Sequence, residues 1–325
     1  MGLHHSRSLA RHIEVAELAS VADPDPEAAR RAAALVPGAT ATTDHRALLA
    51  DPAIDAVVIA SPNDTHARLI EEASEHGKHV FCEKPLALDL ASADAALAAV
   101  AKNGVKLQIG FQRRFDPGFR EARRVIREGD LGAVELIVST TRDPEPPSLD
   151  FMRRSGGLFM DTLIHDLDSV RFLSGLEAVE VYATASTMFL PGGAEQGFVD
   201  TAVTSLRLES GALAVITNSL RATYGYEVAA EALGEKGKVT VGQEQQTGVR
   251  QYGAEGVSND HVHHFLDRFR EAYLEELAHF VDCVASDRQP EVSGEDGRAA
   301  LVLALLAARS YREGHPLPVH EDSQR

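Results

Sequence analysis

The sequence predicts two α/β domains: a doubly wound parallel sheet, followed by an α+β domain with a large open, mostly antiparallel sheet. Three observations carry this. The first third of the chain alternates short β-branched runs with Ala-rich helical stretches, the pattern of a parallel sheet with crossover helices. After Phe111 the texture shifts to longer alternating segments joined by turn signals. The length, 325 residues, exceeds that of one ordinary domain.

In the first domain, expected to span 1–112, Leu18 to Ala22 reads as a strand, Pro26 to Leu35 as a helix and Ala56 to Ala60 as a strand. Thr65 to His76 reads as a helix, His79 to Cys82 as a strand, Ser92 to Asn103 as a helix and Lys106 to Gly110 as a strand. The continuously apolar run Ala56-Val57-Val58-Ile59-Ala60 fits a sheet buried on both faces. In the second domain, 113–325, a helix around Phe119 to Arg127 precedes strands at Val134 to Ser139, Val179 to Ala185, Thr201 to Leu208 and Leu213 to Asn218. Strands at Glu227 to Leu233 and Lys238 to Val241 and helices at Arg270 to Ser286 and Gly297 to Arg312 complete it. The Glu209-Ser210-Gly211 turn implies antiparallel neighbours.

Composition narrows the function classes. With 32 Lys plus Arg against 49 Asp plus Glu, a formal charge of -17 and no basic stripe, the chain is not built for nucleic acid. No apolar run approaches the ~18 residues of a membrane span. Cys82 and Cys283 are far apart and outside any CxxC pattern, which indicates neither a disulfide framework nor a cysteine zinc site. A cytoplasmic protein acting on a small molecule is expected. Only six of the basic residues are Lys, so a Lys in a special context stands out.

A dinucleotide fold opens with a strand, GxGxxG and a helix, with an acidic residue about 20 positions on. Here Met1-Gly2-Leu3-His4-His5 runs directly into a helical pattern, and Asp23 follows Gly2 by 21 residues. That is the spacing expected if Gly2 is the last glycine of the fingerprint and Asp23 accepts from the adenosine ribose hydroxyls. Pro24 and Asp25 follow with no Arg, so a 2′-phosphate would meet two carboxylates, and NAD is favoured over NADP. Further ligand positions are Ser61-Pro62-Asn63 with His66, and Glu83-Lys84-Pro85, both at carboxyl ends of parallel strands.

These segments, with Gly156-Gly157, Asp161 and His165, resemble the Gfo/Idh/MocA oxidoreductases, with the nearest likeness to the inositol 2-dehydrogenases. The likeness extends through Gly110 to Asp116 (GFQRRFD), Gly156 to Leu173, Asn218 to Tyr226 and Phe265 to Phe280, nearly the whole chain. It implies a Rossmann domain, an open-sheet α/β domain and a nicotinamide cofactor, NAD. It also marks a departure, since family members open with a strand and a complete glycine fingerprint. The missing strand would lie mid-sheet and leave a central gap. The expectation is a late-assigned start codon or a trimmed chain, about ten to fifteen residues short.

Oxidising a secondary alcohol needs a hydride acceptor at carbon and a base at oxygen, and His or a perturbed Lys suits the base. Asp161 and His165, four apart, share one face of a helix, where the carboxylate can orient the imidazole. In the family these match the catalytic aspartate and histidine, and Lys84 matches the catalytic lysine. His165 is accordingly the general base, Lys84 the cation on the hydroxyl and Asp161 the orienter and a substrate ligand. Arg114 and Asn63 are further substrate contacts, and Gly2, Asp23, Ser61, Pro62, Asn63, His66, Glu83 and Lys84 are cofactor contacts.

No metal is expected: hydride transfer to NAD requires none, and His261, His263 and His264 read as a solvated turn. The resemblance implies NAD-dependent oxidation of a cyclic polyol, myo-inositol to its 2-keto product, by a homo-oligomer (dimer or tetramer) covering the open sheet. The alternatives are another inositol isomer or an aldose, a sugar-sensing regulator that has lost cofactor binding, and a metal-dependent hydrolase using Asp161 and His165.

Overall fold

The computed structural model describes residues 1–242 and 245–319, and the chain divides into two compact units. The first comprises Met1–Phe111 and Tyr273–Arg298, the second Gln112–Ala272 and Ala299–Arg325. The division falls one residue from the boundary expected from sequence. A continuous second domain over 113–325 is corrected, because a later segment belongs to the first unit.

In the first unit the order is α1 (Gly2–Arg11), β1 (Ser20–Ala22), α2 (Pro26–Ala33), β2 (Thr40–Thr42), α3 (His45–Leu49) and β3 (Ala56–Ile59). Then come α4 (His66–Glu75), β4 (His79–Glu83), α5 (Leu90–Asn103) and β5 (Leu107–Gly110). Side-chain caps start several helices where the sequence turns polar. Asp25 accepts from Glu27 N ahead of Pro26, and Asp89 accepts from Ser92 N at 2.8 Å. Gly104 ends α5 in the left-handed conformation at φ 65°.

All ladders here are parallel, in two groups: β1 with β2, and β3–β4–β5. Among the described residues no ladder joins β1 to β3, so the two groups are separate sheets. Val80, Phe81 and Cys82 of β4 are wholly buried, as a strand covered on both faces requires.

The later segment joins this unit through an apolar face. Leu277 and Phe280 pack with Ile13 and Phe81. The Gln108 side chain donates to Glu276 O at 2.7 Å, Ile109 N donates to Val292 O, and Arg298 pairs with Asp94.

The second unit begins with α6 (Pro117–Arg127), β6 (Val134–Arg142), α7 (Leu149–Ser155) and α8 (Ile164–Ser174). It continues with β7 (Ala178–Ser186), β8 (Thr201–Leu208), β9 (Leu213–Ser219), β10 (Glu227–Gly234) and β11 (Gly237–Gly242). The hairpin β12 (Arg250–Gly253) and β13 (Gly256–Asn259) and the short α9 (Phe265–Arg268) follow. The chain closes with α10 (Arg270–Ala285) and α11 (Gly294–Glu313), whose residues are divided between the two units, and β14 (Leu317–Pro318).

Seven strands form one sheet in the order β11-β10-β6-β9-β8-β7-β14. Only the β6–β9 ladder is parallel. Burial alternates along β8, β9 and β10, so one face carries the core and the other is open. Val179, Tyr182, Val203 and Leu213 are among the exposed apolar side chains of this sheet. Both cysteines are free and buried. No described helix is long and apolar enough to cross a membrane.

Candidate active site

In the first unit the predicted cofactor positions lie at one end of the parallel strands. Gly2 begins α1, where no side chain caps the first turn, and a Cβ on Gly2 would stand 3.9 Å from the Ala60 Cβ. A helix N-terminus without a side-chain cap, packed in van der Waals contact with the end of a strand, is compatible with a pyrophosphate site at the last fingerprint glycine. Asp23 follows β1 half-exposed, and Asp25 N donates to its Oδ1 at 2.8 Å, so the carboxylate is held at the strand end. Asp25 lies beside it, and no Arg or Lys occurs between Asp23 and Arg30, which supports NAD over its 2′-phosphorylated form.

After β3, Ser61 Oγ bonds Thr65 Oγ1 at 2.6 Å and Thr65 Oγ1 donates to Pro62 O at 2.7 Å, closing the turn that presents Asn63. His66 is fully buried, with Nδ1 2.7 Å from Pro85 O and Nε2 2.9 Å from Ser61 O. It staples the two strand-end loops together, and its expected role as a cofactor ligand is corrected, since a buried ring on two carbonyls offers nothing outward. Glu83 is likewise turned inward: its carboxylate lies 2.6 Å from His5 Nε2. Any cofactor contact from Glu83 falls to its backbone. Lys84 is half-exposed between buried Glu83 and Pro85, and the Lys84–Pro85 peptide is cis.

In the second unit the chemistry lies on one stretch. Gly156 and Gly157 have φ of 83° and 72°, consecutive left-handed residues that end α7 and turn the chain. This turn, rather than approach to a ligand, is what the structure shows the pair to provide. Phe159–Leu163 is π-helical and runs directly into α8. Asp161 and His165 therefore lie across a π-to-α junction, not on the uniform α-helix expected from their spacing. Of the fourteen residues 157–170, twelve are buried, and the two partly open are Asp161 and His165. A helix buried on every other position presents this pair to solvent or to a ligand.

Two buried ion pairs hold α8 beneath that pair. Arg113, 2% exposed, donates to Asp166 Oδ1 at 2.8 Å and to Thr141 Oγ1 at 2.8 Å. Asp166 also accepts from Ser139 at 2.7 Å, Thr141 at 2.9 Å and Asn218 Nδ2 at 2.8 Å. Arg114 grips Asp168 bidentately, with Nε 2.9 Å from Oδ2 and an Nη 2.6 Å from Oδ1, and its guanidinium lies over the Phe172 ring.

Arg114 as a substrate ligand is thus corrected: its fork is committed to α8. Asp166, Arg113, Ser139, Thr141 and Asn218 were not singled out by sequence reasoning as a unit. The signal for them was apolar alternation interrupted by polar residues at core positions of β6 and β9. His261, His263 and His264 lie on a turn, and His264 Nδ1 caps α9.

A parallel-sheet unit with an uncapped helix start and a strand-end aspartate, followed by a sheet unit bearing Asp161 and His165, is the arrangement expected of an NAD-dependent dehydrogenase. Residues 1–111 match the oxidoreductase family with an NAD-binding Rossmann fold, and residues 119–240 match the GFO/IDH/MocA C-terminal domain. The chain belongs to the Gfo/Idh/MocA family.

Its relatives include a myo-inositol 2-dehydrogenase of Thermotoga maritima, 41% identical over 86% of this chain and 82% of that protein. A scyllo-inositol 2-dehydrogenase (NAD(+)) of Bacillus subtilis is 36% identical over 100% and 94%. Among solved structures, the myo-inositol dehydrogenase of Lactobacillus casei in complex with NAD(H) and myo-inositol superposes with a TM-score of 0.89. It is 29% identical, covering 98% of this chain and 94% of that one.

Proposed function

We propose that the protein oxidises the axial hydroxyl of myo-inositol to the 2-keto product, with NAD+ as hydride acceptor. The observation that carries this is the Asp161–His165 pair, the only partly open side chains on a stretch buried at every other position from 157 to 170. The named relatives support a cyclic polyol as the substrate class.

When bound, NAD+ supplies the hydride acceptor at its nicotinamide ring. The chain's own residues do the rest. The α1 terminus at Gly2 would hold the pyrophosphate and Asp23 the adenosine ribose, with the Ser61-Pro62-Asn63 turn and the backbone at Glu83 further along the cofactor. His165 takes the hydroxyl proton as general base, and Asp161 orients the imidazole and binds a neighbouring hydroxyl. Lys84 places a cation on the reacting oxygen. Lys84 and His165 belong to different units, and the proposal requires that both reach the same hydroxyl. Arg114, through Asp168, positions the helix that carries His165.

NADH formation by the full chain with NAD+ and myo-inositol, scyllo-inositol, chiro-inositol and glucose tests this reading. Turnover fastest on myo-inositol is expected. Preference for scyllo-inositol would favour the second reading, which the Bacillus subtilis relative supports, and no NADH from any of the four would sink the polyol proposal.

Asp23→Ala should raise KM for NAD+ by about 10- to 100-fold, the worth of hydrogen bonds to a charged group, with kcat little changed. Initial rates at saturating polyol measure it, and an unchanged KM would remove Asp23 from the site. The open sheet face with Val179, Tyr182, Val203 and Leu213 fits coverage by a further copy of the chain in a dimer or tetramer.

A further inference from the structure

We propose that His5, Glu83 and Glu276 form a buried site for a divalent cation of the zinc class, inside the first unit and separate from the dehydrogenase chemistry. The three residues come from α1, the end of β4 and α10, and are 1%, 8% and 0% exposed. One ligand atom from each lies within 4.8 Å of the others. His5 Nε2 and Glu83 Oε1 stand 2.6 Å apart. Among the described residues, both Glu276 carboxyl oxygens are buried without a hydrogen-bond partner, and His5 Nδ1 is too.

An interior carboxyl group with neither oxygen satisfied, beside a second carboxylate, is an arrangement that folded chains avoid unless something occupies the space between. Burial and the nearby Glu83 charge push the Glu276 carboxyl well above its ordinary range. On binding, a divalent cation would displace the Glu276 proton to solvent, and the two carboxylates with one neutral imidazole would then balance its two charges in place.

The donor set selects the ion. One imidazole nitrogen with two carboxylate oxygens suits Zn2+, with Co2+ as a close mimic, whereas Mg2+ and Ca2+ prefer all-oxygen shells. Ligand bonds of about 2.0–2.2 Å place tetrahedral donors roughly 3.4 Å apart. The His5–Glu83 contact must therefore open by somewhat under an ångström, and Glu276, within 4.8 Å of both, must close by at most roughly 1.4 Å, shifts that side-chain torsions can supply.

The wall is apolar and aromatic: the Phe81 ring lies 5.3 Å and the Tyr273 ring 6.3 Å from the His5 ring, centroid to centroid. A cation here ties together three elements far apart in sequence, so its effect falls on the stability of the first unit.

The test uses the full chain, stripped with a chelator, desalted and titrated with Zn2+ alone against a chromophoric competitor. One equivalent is expected to bind at least a hundredfold more tightly than the remainder and to raise the melting temperature. Co2+ should give the d–d absorption of a low-symmetry four- or five-coordinate site. Replacing the three neighbouring histidines by His261→Asn, His263→Asn and His264→Asn should leave that equivalent intact.

Glu276→Gln, which keeps the shape and removes a ligand, should abolish it while melting in the absence of metal at or above the wild-type temperature. Retention of the tight equivalent in Glu276→Gln overturns the proposal. Absence of both the equivalent and the Co2+ spectrum in the wild type overturns it as well, and that result does not depend on any variant folding.

Discussion

The turnover of a His165→Ala protein is expected to fall by about a hundred- to ten-thousand-fold, the usual worth of a positioned general base. The imidazole accepts a proton only when neutral, so the wild-type rate should climb with pH through the imidazole titration and level off above it. The variant should lose that limb. Because α8 is anchored at Asp166 and Asp168, the helix should stay in place. NAD+ binding followed by fluorescence should then be unchanged, and added imidazole should restore part of the rate. A variant that keeps the rising limb would show that the base is elsewhere, with Lys84 the next residue to replace.

That experiment depends on how α8 is held, and this part of the site was the least legible from sequence. The strands of both sheets could be read directly, because apolar runs and alternation follow from burial on two faces or one. The expected strand Thr201 to Leu208 is β8 itself. Short or polar elements escaped, among them β2, whose Thr-Ala-Thr is largely exposed, and α7. The π-helical Phe159–Leu163 has no sequence signature in a 3.6-residue reading, so the Asp161–His165 geometry came from the structure.

The discontinuous first unit was hidden for another reason. The apolar face of α10 states that Leu277 and Phe280 are buried, but not that Ile13 and Phe81 bury them. Side-chain roles failed where a polar group turned inward. Position at strand ends and the family resemblance mark Arg114, His66 and Glu83 as candidate ligands, yet an Arg reads the same whether its partner is a substrate or Asp168. His66 on two carbonyls and Glu83 on His5 show the same ambiguity resolved toward structure.

Asp166→Ala should destabilise the second unit by about 3–5 kcal/mol, the cost of leaving a buried charge without its counter-ion. The carboxylate receives four hydrogen bonds, from Arg113, Ser139, Thr141 and Asn218. Its loss therefore leaves the Arg113 guanidinium in the interior without the carboxylate that neutralises it. Denaturant unfolding followed in the second unit measures the effect, and a loss under about 1 kcal/mol would mean that solvent reaches the guanidinium.

Ion pairs of this kind are often replaceable by apolar groups of similar volume at little cost. The double substitution Arg113→Met with Asp166→Leu should accordingly recover most of the stability lost by Asp166→Ala. It should not recover turnover if the pair also sets where α8 presents His165. Stability restored together with full kcat would make the network structural alone. Stability restored with kcat still depressed, and the His165 pH limb displaced, would show that Asp166 positions the base. The second outcome is expected, because Asp166 is adjacent in sequence to His165 and fixes the same helical turn to β6 and β9.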